Sequence, residues 1–247
     1  MRQQILRLGP RKQLRPRSAS KWERVLFRPL REENLDKKYP VSKLQSQTLG
    51  TNITVYYRVA LNLNSKQGNK IPGIQHGLLP GISIKGLVQD ASLVTKTACE
   101  RYIRQTENSK KNVELSLTFC HDSHIQYLNE QYRGVSKPTD VLSFEINGET
   151  ETDYPILGDV VISMDTAVKQ SMERHHKYSL RDEFRVLFTH GLLHLFGFDH
   201  ETDSGMGQDE MLHMAEEERV IFSILGWNEL RGLIEHNIPE ARVGTVN

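Results

Sequence analysis

The stretch from Ser179 to His200, SLRDEFRVLFTHGLLHLFGFDH, constrains this chain more than any other. Its apolar residues predict one long helix over about 180–196, opened by Ser179 and stopped at Gly197. Positions four apart on a helix share a face, so His190 and His194 can point two imidazoles at one ion. The leucines and Phe196 are then left to pack the other side. Gly197 suits the left-handed position that turns the chain back, and His200 can approach the same ion from that turn. Three neutral imidazoles with a fourth position open is the arrangement of a catalytic zinc site. The competing reading is three packed aromatics of a buried helix. A pair on one face, a helix-stopping glycine and a third histidine together favour the metal.

Length suits one sizeable domain plus extensions. The chain is 37% hydrophobic and 26% charged, and no run of 18 apolar residues exists that could span a membrane. The net charge of +1 hides an asymmetry. Residues 1–52 carry 13 Lys/Arg against 4 Asp/Glu, whereas residues 53–247 carry 19 against 27. Seven basic residues precede the first acidic one, Glu23, with no apolar core of a secretory signal. An Arg-rich, acid-poor lead of this kind is expected of organelle transit peptides, the alternative being a disordered basic tail of a cytosolic protein. Residues 1–51 are therefore set aside as an extension. Cys99 and Cys120, in no metal-like spacing, are expected to be reduced, partly buried thiols.

Four strands are expected. NITVYYRVALNL (52–63) is rich in β-branched and aromatic residues, and NVELSLTFC (112–120) alternates with period 2. VLSFEI (141–146) and LGDVVISM (157–164) complete the set. Residues 64–86, holding two prolines and several glycines, form a loop insertion. Helices are predicted after Asp90, after Asp122 (ending near Gly134), after Asp165, after Ser179, and over about 206–225. Interleaved elements give an α+β fold: a single domain over 52–228, with a roughly four-stranded mixed sheet packed by helices and a tail over 229–247.

The spacing HxxxHxxGxxH also matches that of zinc proteases, which need a Glu after the first histidine. Gly191 stands there instead, so a metalloprotease is disfavoured.

With Gly191, Leu193, Leu195, Gly197, Asp199 and His200 in place, the segment resembles the HGxLHLxGxDH signature of the YbeY family. LNEQYRGVSKPTDVLSFEI (128–146) is similar to that family's NxxYRxxxxPTDVLSF block, and LGDVVISMDTA (157–167) to its LGDIxIS block. The resemblance implies a single-strand-specific endoribonuclease acting in ribosomal RNA maturation. It implies one Zn²⁺ held by His190, His194 and His200, with Arg133 and His190 as catalytic residues. A cleft arginine could offer a planar fork to phosphate, while zinc polarises a phosphate oxygen or acidifies a water. Implied partners are single-stranded RNA, an rRNA precursor, and the small ribosomal subunit or its proteins, with neither DNA nor membrane.

Charge opposes an RNA partner, because the acidic body must offer a local basic surface. Arg58, Arg101, Arg104, Lys110, Lys111, Arg133 and Lys137 are the candidates. Asp140 and Asp159 are read as structural, and Glu216 to Glu218 as a solvated face. The alternative function is a non-catalytic ribosome-assembly factor with a structural zinc. A plastid is preferred as compartment, then a mitochondrion, with the cytoplasm following if the lead is only a tail.

Overall fold

The computed structural model describes residues 6–7, 41–48, 51–61, 83–103, 112–145, 156–173, 178–198 and 207–237. Six strands form one sheet: β1 Leu6–Arg7, β2 Val41–Thr48, β3 Thr51–Ala60, β4 Asn112–Cys120, β5 Val141–Glu145 and β6 Ile156–Ser163. Their order is β1-β5-β6-β4-β3-β2. Strands β3, β4 and β6 run parallel, β2 and β5 are antiparallel to β3 and β6, and β1 pairs parallel with β5. The helices are α1 Ile84–Tyr102, α2 Asp122–Arg133, α3 Met164–Glu173, α4 Leu180–Leu195, α5 Gly207–Ile224 and α6 Arg231–Asn237. The chain thus forms the α+β architecture with a mixed sheet that its pattern predicts.

The sheet has a core on each face. Val113, Leu115, Leu117 and Phe119 of β4 pack with α1, α4 and α5, while Cys120, Leu142, Phe144 and Val161 pack under Ile125 and Leu128 of α2. Ser116 and Thr118, the polar partners in the β4 alternation, are also buried, because β4 sits mid-sheet and is covered on both sides.

The four expected strands are β3 to β6. Two more come from the residues set aside as an extension. β2, VSKLQSQT, lies at the sheet's other edge and needs little apolar content; only a half-buried Leu44 joins the core from its described side chains. At the other end, a 3-10 turn (Asn228–Leu230) and α6 bury Leu230, Leu233 and Ile234. The packed body therefore exceeds the 52–228 expected at both ends. The remaining residues of the extension and tail, and 64–82 of the insertion, lie outside the described residues.

Three capping expectations are corrected. Helix α1 begins at Ile84, taking in the end of the expected insertion, so Asp90 does not cap it. Asp90 is buried inside the helix, where Arg181 (2.6 and 2.8 Å) and Arg185 (2.9 Å) of α4 hold its carboxylate. His121, not Asp122, is the N-cap position of α2. Asp122 and Asp165 serve each other's helices: Asp165 Oδ2 accepts from the Asp122 backbone N–H at 3.0 Å, and Asp122 Oδ1 accepts from the hydroxyls of Ser163 and Thr166. Each carboxylate sits at a helix N-terminus, where the peptide dipoles favour negative charge.

Cys99 and Cys120 are free and fully buried, and burial pushes the Cys99 thiol up to about 12, so neither is poised to react. No helix among the described residues is long and apolar enough to cross a membrane.

Candidate metal centre

Helix α4 starts at Ser179 as its sequence predicts, and the structure adds a reciprocal bond from Asp182. Ser179 Oγ accepts from the Asp182 N–H at 3.2 Å, and Asp182 Oδ2 accepts from the Ser179 N–H at 2.9 Å. Phe184, Leu187, Phe188, Leu192 and Leu193 then enter the core, each burial contributing roughly 1.5–3 kcal/mol. Gly191 is where α4 meets the sheet. A Cβ there would lie 2.9 Å from Ser143 Oγ and Val141 Cγ2, and 3.1 Å from Val160 Cγ1. A glutamate at this position would be driven into β5 and β6, so packing as well as residue type disfavours the protease mechanism.

This seating leaves His190 half-buried and His194 buried on one face of the helix. Their rings lie 4.8 Å apart between centroids and nearly perpendicular, at 88°. The two Nε2 atoms are 3.2 Å apart. Each Nδ1 is occupied. His190 Nδ1 donates to Glu218 Oε1 at 2.7 Å, and His194 Nδ1 donates to the carbonyl of Phe198 at 2.8 Å. The Phe198 carbonyl can only accept, so His194 Nδ1 carries a proton and the Nε2 of that ring, when neutral, presents a lone pair; a carboxylate at 2.7 Å favours the same tautomer of His190.

Two lone pairs facing at that distance repel unless a cation lies between them. A tetrahedral zinc with bonds of about 2.0–2.1 Å spaces neighbouring nitrogen donors about 3.3 Å apart. Donor type, tautomer and separation therefore all fit such an ion. Among the described residues, no third His, Cys, Asp or Glu completes a metal-ligand group with the pair. His200, the third expected ligand, lies outside the described residues with its neighbours Asp199 and Glu201.

The end of α4 explains how His194 is oriented. Gly197 takes φ 87°, a left-handed value that a side chain would disfavour. The Gly197 N–H reaches the His194 carbonyl (3.0 Å) and the Phe198 N–H reaches that of Leu193 (3.1 Å), the paired bonds of a Schellman turn. The turn folds Phe198 back, so its own carbonyl meets His194 Nδ1. Tyr102 packs on Phe196 and Phe198 at 5.2 Å from each and donates its hydroxyl to Glu217 at 2.5 Å, beside Arg101. Burial and that bond push the Tyr102 hydroxyl up to about 12, keeping it a donor.

Arg133 stands apart from the pair. It is the last residue of α2, half-buried, on the sheet face opposite α4. Strand β5 is the shared wall: Val141 and Ser143 meet α4, while Leu142 and Phe144 meet α2. Tyr132, the residue before Arg133, packs on Phe144 at 5.2 Å, so the end of α2 lies beside β5 on that face.

Of the expected basic surface, Arg58 is buried at 2% exposure within β3 and cannot meet a ligand, and Arg101 is engaged by Glu217 at 2.8 Å. Lys137 is exposed; Arg104, Lys110 and Lys111 lie outside the described residues. Asp140 has the structural role expected, accepting from Thr139, Val141 and Gln170 where β5 begins. Asp159 is likewise buried in its strand.

Sequence reasoning missed Glu218. Expected on a solvated face, it is 4% exposed. A signal was available: Met214, Ala215, Ile221 and Phe222 make the buried stripe of α5, and Glu218 falls on that same stripe.

A family model described as Endoribonuclease YbeY matches residues 87–226. A chloroplastic Endoribonuclease YBEY of Arabidopsis thaliana is 45% identical over 55% of this chain, which spans only 22% of that relative's length. An Endoribonuclease YbeY of Aliarcobacter butzleri is 44% identical over 46% of this chain and 75% of its own. A solution structure of a Thermotoga maritima protein overlaps with a TM-score of 0.38 at 21% identity, covering 65% of this chain and 95% of that one.

Proposed function

The chain belongs to the endoribonuclease YbeY family, and from that membership we propose that it is a zinc-dependent endoribonuclease that cuts single-stranded RNA during ribosomal RNA maturation. The observation that carries the metal part is the pair of Nε2 atoms 3.2 Å apart, with both Nδ1 positions taken. His190, His194 and His200 hold one zinc ion. Bound there, zinc supplies Lewis acidity toward a phosphate oxygen and lowers the pKa of a water.

The chain's own residues do the rest. Glu218 and the Phe198 carbonyl keep the two imidazoles in the tautomer that presents Nε2. The leucines of α4 and the strand β5 close the rear of the pair to water. Arg133 binds a backbone phosphate of the substrate through its planar fork, which orients the strand that reaches the metal. Substrate RNA then crosses β5, so that the metal centre and Arg133 meet different parts of the strand. The substrate rRNA precursor brings the small ribosomal subunit or its proteins as partners.

Cleavage of single-stranded RNA by the purified chain is compared with His190→Ala, His200→Ala and Arg133→Ala. The proposal expects a loss of cleavage in each variant, and equal rates in all four proteins overturn it. A second reading, a ribosome-assembly factor with a structural zinc, draws on the acidic balance of residues 53–247, 19 Lys/Arg against 27 Asp/Glu. It expects zinc removal to melt the domain and no variant to alter a cleavage rate.

The basic lead and the chloroplastic relative support a plastid location ahead of a mitochondrial one. A fluorescent protein fused after residues 1–55 should enter the organelle; diffuse cytosolic signal contradicts import.

A further inference from the structure

We propose that Glu218 is the positioning residue of the metal centre: its carboxylate decides which nitrogen of His190 carries the proton and so presents Nε2 to the ion. The assignment rests on the metal reading above.

Glu218 occupies a position that core packing alone does not explain. It lies on the buried stripe of α5, one turn after Met214 and one turn before Ile221 and Phe222, all three of them core residues. An apolar side chain would fill that position without penalty, whereas a buried carboxylate costs several kcal/mol unless it is well paired. The partner it has is His190 Nδ1 at 2.7 Å.

The two histidines are held by different kinds of acceptor. His194 Nδ1 meets a backbone carbonyl, which comes from the turn and which no substitution of a side chain deletes. His190 Nδ1 meets a side chain. Glu218 is thus the group through which the orientation of the pair can be changed while the ligands stay intact. An acceptor on the far nitrogen also fixes Nε2 as the donor, and outer partners of this sort typically alter metal affinity by about 10- to 100-fold. The adjacent Glu217, bonded to Arg101 and Tyr102, anchors α5 to the end of α1 and so sets the height of Glu218 beside His190.

Zinc affinity of the purified full chain, measured by competition with a chromophoric chelator, is compared with Glu218→Gln and Glu218→Met. Both replacements nearly conserve volume, but only glutamine retains an oxygen that accepts from Nδ1. Gln should bind zinc close to the unsubstituted chain, and Met should bind it about 10- to 100-fold more weakly. Undiminished affinity in Glu218→Met overturns the assignment, and so does equal weakening in both variants. The ¹⁵N imidazole shifts of His190 in the unsubstituted, metal-free chain provide a readout that needs no variant to fold. A proton on Nδ1 is expected, and a proton on Nε2 overturns the role. If the unsubstituted chain binds no zinc, the metal reading fails, while the tautomer measurement still judges Glu218.

Discussion

The hydroxyl of Ser143 donates to the carbonyl of Gly191 at 2.8 Å, fastening the ligand helix to an inward-facing residue of β5 where its side chains crowd the glycine. A methyl group at 191 would press on Ser143 Oγ, Val141 and Val160 together. Rotating Ser143 away relieves one contact at the cost of its hydrogen bond, worth about 1 kcal/mol. Alanine returns about 1 kcal/mol of helix propensity, but overpacking costs about 1–3 kcal/mol. Gly191→Ala should therefore destabilise the chain by on the order of 1–2 kcal/mol, lowering the melting temperature by about 2–4 °C per kcal/mol. A thermal melt that moves upward contradicts this account of Gly191.

Asp90 ties α1 to α4 through two arginines of unequal exposure: Arg181 is 47% exposed and Arg185 only 13%. Arg185 also stacks on Trp227, its guanidinium carbon 4.0 Å from the ring centroid. Removing the carboxylate leaves the largely covered Arg185 with Asp182, 3.1 Å from its Nη1, as its acidic partner. Asp90→Ala should lose about 2–3 kcal/mol, the scale of charged hydrogen bonds lost, whereas Arg181→Ala should lose about 1 kcal/mol or less because water screens it. Urea unfolding midpoints at constant slope measure both, and equal losses would show that the burial difference does not govern this network.

His121 and Asp165 make stability depend on pH. The hydrogen bond from His121 Nδ1 to Asp165, 3.1 Å long, raises the His121 pKa above its ordinary 6.5, outweighing the opposing effect of burial. A raised folded value means that the stabilisation is fully present below about 6.5 and is lost as pH rises through the folded pKa. The stability difference between the unsubstituted chain and Asp165→Asn should be wider at pH 5.5 than at pH 8.5. Denaturant titrations at the two values check it, with a gap that is constant or widens toward high pH as the contrary result.

Much of this fold is legible in the sequence where one force dominates. β4 alternates because its odd-numbered residues from 113 to 119 enter a single large core, and Ser179 announces the start of α4 through a purely local cap. Legibility fails where a polar residue serves a distant element. Asp90, Asp122 and Asp165 each look like a local helix cap, yet their carboxylates reach across to α4, α3 and α2. Strand β2 escapes notice because an edge strand needs little apolar content. In the site, the pairing of His190 with His194 follows from helical spacing alone, while Glu218 comes from 28 residues downstream and depends on how α5 docks. Local periodicity carries no information about that docking.

The central claim is that the two facing nitrogens of His190 and His194 are donors to a metal on which RNA cleavage depends. The most direct test follows one preparation of the chain through three states: as purified with its metal content measured, after removal of metal by chelation, and after return of one equivalent of zinc. The account predicts cleavage of single-stranded RNA in the first state, its loss in the second and its recovery in the third. Undiminished cleavage by the metal-free chain, still folded by circular dichroism, would contradict it.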